Sequence, residues 1–245
     1  MYKTNLIIPS LVFHSVRKGA GQDLYALEPS YFDEIIAMIT EKFGGTISLK
    51  DLVISDDGTA NQKGVLVTFD DGYDDHLEVV LPILQKYKAK ATFFLLPKYF
   101  GKQNTWDHRS KVILNHLSIE QAKKLVRAEQ TIGSHGLTHN SLLKFSDLNL
   151  RNELIESKKM LEDLLQVEVN SFSYPYGDFD QEIAKLSSNY YKYSFATNKE
   201  TNPNWNQFGY SQIQRERILS NMSIKDIESL IVKFNTRLPN ALGKI

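Results

Sequence analysis

Val65-Leu66-Val67-Thr68-Phe69-Asp70-Asp71-Gly72 runs five apolar or β-branched residues straight into two carboxylates and a glycine. An apolar run of strand length without polar alternation reads as a strand covered on both faces, as a parallel sheet flanked by helices requires. A helix-period pattern follows through Leu77, Val80, Leu81 and Leu84, with Pro82 restricting where its first turn lies.

The alternation continues in both directions. Upstream, Leu6 to Phe13 reads as a first buried strand. Phe32, Ile35, Ile39 and Phe43 share one helix face, with Ser30 and Asp33 as a capping box and Gly44-Gly45 as the stop. Downstream, strands are predicted at Ala91 to Leu96, Thr131 to Ser134, Val169 to Tyr174 and Tyr193 to Ala196, and a last one within Gln212 to Leu219. Between and after them come helices at Ser118 to Ala128, behind Ser146, at Gln181 to Ser188 and behind Ser223. About seven βα units without a linker or repeat predict an α/β fold. Its form is a single distorted (β/α)7-type barrel with parallel strands and outer helices, one domain over residues 1–245.

Composition excludes several functions. The 29 basic and 29 acidic residues cancel, which removes any bulk attraction to nucleic acid or an anionic membrane. With no cysteine there is no thiolate-bound metal, iron–sulfur cluster or thiol nucleophile, so any metal is held by nitrogen and oxygen. No stretch reaches the roughly 18 apolar residues of a transmembrane helix. The apolar start is short and broken by Pro9, so it reads as a strand rather than a cleaved signal, and a cytoplasmic chain is expected.

In barrels of this kind active residues gather at the C-terminal ends of strands. Four unusual groups fall there: His14, Asp70-Asp71-Gly72, His135 with His139, and Tyr174-Pro175-Tyr176-Gly177. Adjacent carboxylates at the end of a buried strand repel and lose hydration, so a cation or donor set should compensate. A spacing of four on a helical turn would put both imidazoles on one face, able to share an ion. One Asp and two His leave an open coordination position, the pattern of a catalytic divalent metal.

Thr68-Phe69-Asp70-Asp71-Gly72, His135-Gly136-Leu137-Thr138-His139 and Phe172-Ser173-Tyr174-Pro175-Tyr176-Gly177 resemble three ordered motifs of the polysaccharide deacetylase family, carbohydrate esterase family 4. The resemblance runs from about Leu11 to Ile218 and implies a distorted barrel that hydrolyses N-acetyl groups of amino sugars. It implies Asp71, His135 and His139 on a divalent metal, usually Zn²⁺, Asp70 as general base, and the Tyr176 backbone N–H at the oxyanion. The substrate it implies is an N-acetylated glycan of a bacterial surface polysaccharide.

Three departures stand out. No histidine follows His139, where the family's late Leu-x-His motif usually supplies the general acid. Among His14, His76, His108 and His116, the segment Val12-Phe13-His14-Ser15-Val16 resembles the early histidine segment of the exopolysaccharide deacetylases, which assigns the acid to His14. Ser173 stands where many members carry an arginine; Arg215 or Arg217 can replace that charge, or be surface ion pairs. Gly136 replaces the usual Ser/Thr between the two histidines, which leaves one hydrogen bond of the loop missing or filled by water.

Trp106 and Trp205, with Tyr99, Phe100 and Tyr210, sit in two long loops as candidates for sugar stacking or for packing. The rival readings are a non-catalytic carbohydrate-binding protein on the same fold and a two-His, one-carboxylate iron oxygenase. The first sits poorly with retention of every motif carboxylate and histidine, the second with βα alternation.

Overall fold

In the computed structural model, which describes residues 8–21, 23–52, 63–106, 112–197 and 210–236, the opening stretch is a strand at the middle of a parallel sheet. The strands are β1 (Ser10–Phe13), β2 (Ser15–Val16), β3 (Ala26–Leu27), β4 (Thr46–Ile47), β5 (Val65–Phe69) and β6 (Thr92–Leu95). They continue with β7 (Thr131–Ser134), β8 (Ser171–Ser173), β9 (Tyr193–Ala196), β10 (Ile213–Gln214) and β11 (Glu216–Arg217). The helices are α1 (Pro29–Phe43), α2 (Leu81–Lys86), α3 (Ile119–Arg127), α4 (Asp147–Leu165), α5 (Gln181–Ser187) and α6 (Ile224–Thr236). One π-helical turn, His76–Val80, leads into α2.

The main sheet runs in the order β10-β9-β8-β7-β6-β5-β1-β11, every pair parallel, with β4 beside the start of β5. Its two outermost strands, β10 and β11, belong to one stretch of chain. The single last strand expected within Gln212 to Leu219 is therefore split. Ile213 pairs with Phe195 of β9 and Arg217 with Val12 of β1, so the stretch crosses the gap and nearly closes the barrel. At the crossing the Arg215 N–H donates to the Ala196 carbonyl at 3.0 Å, and the Ile218 N–H to that of Val12 at 3.0 Å. Counting β10 and β11 as one position gives the seven-position distorted barrel.

Alternation along β5 sorts its residues between two apolar clusters, because successive side chains of a strand point to opposite faces. Val65, Val67 and Phe69 join the cluster that packs against the helices. Leu66 joins Phe94, Phe195 and Ile213 inside the barrel. Thr68, and then Asp70 just past the strand end, continue the inward row. Outside, Phe69 stacks on Phe13 at 5.4 Å and on Phe93 at 5.1 Å, while Phe32 of α1 meets both Phe13 and Phe69 edge-on. This column clamps β1, β5 and β6 together beneath the two carboxylates.

The helix starts correct one expectation. Ser118 and Gln121 form a reciprocal capping box on α3, but Ser30 and Asp33 do not on α1. Pro29 at the first helical position moves the start forward, so Glu28 is the N-cap and Ser30 lies within the first turn. Asp33 instead accepts from Lys86 at 2.8 Å and from the Tyr87 hydroxyl at 3.1 Å, tying α1 to the end of α2.

Removing one ring of the aromatic column tests its weight. Phe69→Ala should destabilise the protein by about 3–5 kcal/mol, read as a lower urea midpoint in equilibrium unfolding followed by circular dichroism.

Candidate active site

The ends of β1, β5, β7 and β8 surround a cleft of about 880 Å³. His14, Asp70, Asp71, His135, His139 and Tyr176 all line it. The six residues singled out from sequence, spread over more than half the chain, are thus brought to one place.

Asp70 continues the inward-facing row of β5 and meets Arg215 at the barrel closure. The guanidinium is bidentate, Nη1 to Oδ1 at 2.8 Å and Nη2 to Oδ2 at 2.8 Å. Its Nη1 also donates to Thr68 Oγ1 at 2.9 Å, and its face lies over the rings of Phe94 and Phe195. The Ser173 hydroxyl donates to Asp70 Oδ2 at 3.0 Å and accepts from Arg215 Nη2 at 2.7 Å. Burial pushes the Asp70 pKa up, but the adjacent guanidinium outweighs it and holds the carboxyl at about 2. Arg215 is therefore no surface ion pair: at 1% exposure it supplies the charge missing at position 173. Ser173 leaves it room and adds a hydroxyl.

Asp71 diverges from Asp70 because its backbone is left-handed, with φ 74°. A hydrogen bond of 2.9 Å from His116 Nδ1 to the Asp71 carbonyl supports that turn. The carboxylate lies with Oδ1 3.5 Å from His135 Nε2 and 3.2 Å from His139 Nε2. Oδ1 is buried and accepts no hydrogen bond. His135 Nδ1 is 2.8 Å from the Ser173 carbonyl, so that nitrogen carries the hydrogen, and in the neutral ring Nε2 is the one left with a lone pair. One potential ligand atom from each of Asp71, His135 and His139 lies within 4.8 Å of the other two. An orphaned buried carboxylate oxygen facing two imidazole nitrogens is a donor set that fits a divalent cation.

The histidine pair does not ride on a helical turn. Residues 135–141 form an irregular loop in which Gly136 has φ 83° and His139 φ 55°. Glu153 of α4 shapes this loop: its Oε2 accepts from the Leu137 N–H at 2.8 Å and the Thr138 N–H at 3.2 Å. Its Oε1 accepts from the Thr138 hydroxyl at 2.8 Å. The left-handed backbone at residue 136 favours glycine, and a Cβ there would also lie within 3.1 Å of Glu153 Oε2. Glu153 thus ties down the loop beside Gly136 through two backbone N–H groups and one hydroxyl. That residue went unrecognised in the sequence; its signal was a carboxylate on the buried stripe of Leu150, Leu154 and Leu161.

His14 sits in the break between β1 and β2, its ring 5.3 Å from that of Tyr25. Burial lowers its pKa against the pull of Asp71 and Asp70, and its Nδ1 is enclosed without a partner. His76 Nε2 donates to the His14 carbonyl at 2.6 Å, and Asp75 accepts from the Ser15 hydroxyl and from the Val16 N–H at 3.1 Å. Burial raises the Asp75 pKa to about 7 and lowers those of His76 and His116 to about 4. His76 and His116 are thus neutral backbone braces, while His108 lies outside the described residues.

Among the loop aromatics, Trp106 lines the cleft and stacks on His139 at 4.6 Å. Tyr99 packs behind it, Phe100 joins the core, Tyr210 packs on Tyr193, and Trp205 lies outside the described residues. Tyr176, left-handed at φ 61°, sets its ring 4.7 Å from His139.

Residues 57–194, more than half of the chain, match the family model for polysaccharide deacetylases. The chain belongs to the polysaccharide deacetylase family. The family implies amide hydrolase activity and generally depends on a metal. Among curated relatives, YxkH of Bacillus subtilis (strain 168), also named as a polysaccharide deacetylase, is 28% identical over 182 residues, 74% of this chain. This chain spans only 60% of the length of YxkH. The poly-beta-1,6-N-acetyl-D-glucosamine N-deacetylase of Staphylococcus aureus (strain MRSA252) is 25% identical over 84% of this chain and 78% of its own. Of solved structures, the Streptococcus pyogenes deacetylase PplD in complex with acetate superposes with a TM-score of 0.77 at 25% identity, covering 93% of this chain and 99% of its own. No helix among the described residues is long and apolar enough to cross a membrane.

The loop geometry makes a prediction. Gly136→Ser should destabilise this protein by about 1–2 kcal/mol through its left-handed backbone alone. Thermal unfolding of the two proteins side by side checks it.

Proposed function

We propose that this deacetylase removes N-acetyl groups from amino-sugar residues of a bacterial poly- or oligosaccharide, releasing acetate, with Asp71, His135 and His139 holding a divalent metal. The observation that carries this reading is the pairing within one cleft of an ionised carboxylate, Asp70, with an Asp-His-His donor set whose Asp71 oxygen is orphaned. Two imidazole nitrogens and one carboxylate oxygen favour zinc among the common divalent ions. Such an ion, when bound, polarises the amide carbonyl and brings the pKa of water toward ~7.

The side chains of this chain supply the rest. Asp70, kept charged and aimed by Arg215 and Ser173, takes the proton of the attacking water. Tyr176 offers its backbone N–H to the negative charge that develops on the carbonyl oxygen. His14, whose pKa burial depresses, is a strong acid once protonated, suited to handing a proton to the departing amine. Trp106, already stacked on His139, offers an aromatic wall to the sugar. The relatives whose names include poly-beta-1,6-N-acetyl-D-glucosamine support a substrate of that chemical class.

Acetate release from defined N-acetylated oligosaccharides tests this reading. The untreated protein should release acetate, chelator should abolish the release, and added Zn²⁺ should restore it. Asp70→Asn and His14→Ala should each lower kcat by about 10²-fold or more. Full turnover in both variants, or in chelator, would overturn the mechanism.

A further inference from the structure

The chemistry above leaves one charge of the cleft unused. Among the described residues that line it, Arg217 is the only lysine or arginine. It lies on β11 opposite Val12 of β1, two residues from His14. Its Nη2 donates to the Thr197 hydroxyl at 3.0 Å, its guanidinium lies 5.6 Å from the centre of the Tyr25 ring, and that ring meets His14 edge-on. Arg217, Tyr25 and His14 therefore form one continuous wall.

The other charges of the cleft have their counterparts. Asp70 has Arg215, Asp23 has Arg17 at 2.7 Å, and Asp71 faces the two histidines. Arg217 forms no ion pair with any described carboxylate, and its buried Nε has no hydrogen-bond partner. A half-buried guanidinium tied to Thr197 and lying over an aromatic ring is partly pre-organised, so it loses less freedom on binding a planar or tetrahedral oxyanion than a free surface arginine would. A neutral N-acetyl sugar offers it hydroxyl and carbonyl acceptors but no counter-charge, and the bond to an anion is about twice as strong.

We propose that Arg217 is an anion subsite of the cleft, which binds a phosphate or carboxylate carried by the glycan next to the N-acetyl group. The position of that N-acetyl group rests on the deacetylase reading; the recognition of the anion does not. Thr197 accepts from Nη2 and the Tyr25 ring lies 5.6 Å away, which holds the guanidinium at the cleft wall.

Equilibrium binding tests the subsite without turnover. N-acetylglucosamine, N-acetylglucosamine 1-phosphate and N-acetylmuramic acid are titrated by calorimetry into the wild type, Arg217→Gln and Arg217→Lys. The wild type should bind at least one anionic sugar about tenfold or more tighter than the neutral one, a preference that weakens as salt rises. Arg217→Gln should collapse that ratio and Arg217→Lys should keep part of it. The anionic sugar that gains identifies the source as phosphate or carboxylate. Equal binding of all three sugars by the wild type, or an unchanged ratio in Arg217→Gln, would overturn the proposal. An acetate assay of the same proteins on the N-acetylated oligosaccharides separates the two readings. Arg217-dependent discrimination without acetate release sinks the deacetylase function and keeps the subsite, whereas acetate release without discrimination does the reverse.

Discussion

The bidentate pair between Arg215 and Asp70 holds together both the barrel closure and the cleft. Arg215 lies between β10 and β11, where the chain leaves β9 and joins β1, and its guanidinium fills the barrel above Phe94 and Phe195. Two charges taken out of water cost several kcal/mol each, and such a pair often stabilises a fold no better than apolar residues of the same shape. Its value here is chemical. It keeps a carboxylate ionised in a buried site, and it fixes both carboxylate oxygens with parallel hydrogen bonds. Thr68 and Ser173 satisfy further N–H groups of the guanidinium, which makes the pair tolerable inside the barrel.

Around that pair the backbone is bent into conformations that residues with a side chain seldom adopt. Asp71, His139 and Tyr176 all have positive φ, and all line the cleft. Each such residue costs of order 1–3 kcal/mol and persists only where its surroundings dictate it. Those surroundings are visible. His116 braces the carbonyl of Asp71, Glu153 gathers the loop before His139, and Pro175 and Gly177 flank Tyr176. Burial keeps His116 neutral near pH 7, so its brace is a hydrogen bond of fixed direction rather than a charge competing with a cation. The strain buys divergence: two neighbouring carboxylates face different partners, and two histidines without a helical turn face the same one.

Much of this was legible in the residues, and the limits have physical causes. Buried parallel strands are largely apolar runs, so β1, β5 and β6 stand out. Strand ends in a barrel gather function, so His14, Asp70, Asp71, His135, His139 and Tyr176 could be grouped before any coordinates. The capping box at Ser30 was misplaced because Pro29, rather than the polar pair, sets where α1 begins. Glu153 was missed because a helical stripe shows which residues are inward, and a lone carboxylate on it does not announce the loop it meets.

The sequence by itself determined the order of strands and helices and the types of donor available for chemistry, since burial and strand period act locally along the chain. The tertiary structure alone decided which arginine serves Asp70, 145 residues away in the chain. It also decided that the last strand divides between two neighbours, and that Arg217 faces the cleft without an ion pair to any carboxylate among the described residues. No local pattern encodes these outcomes, because each arises where the closing sheet brings distant segments to one point.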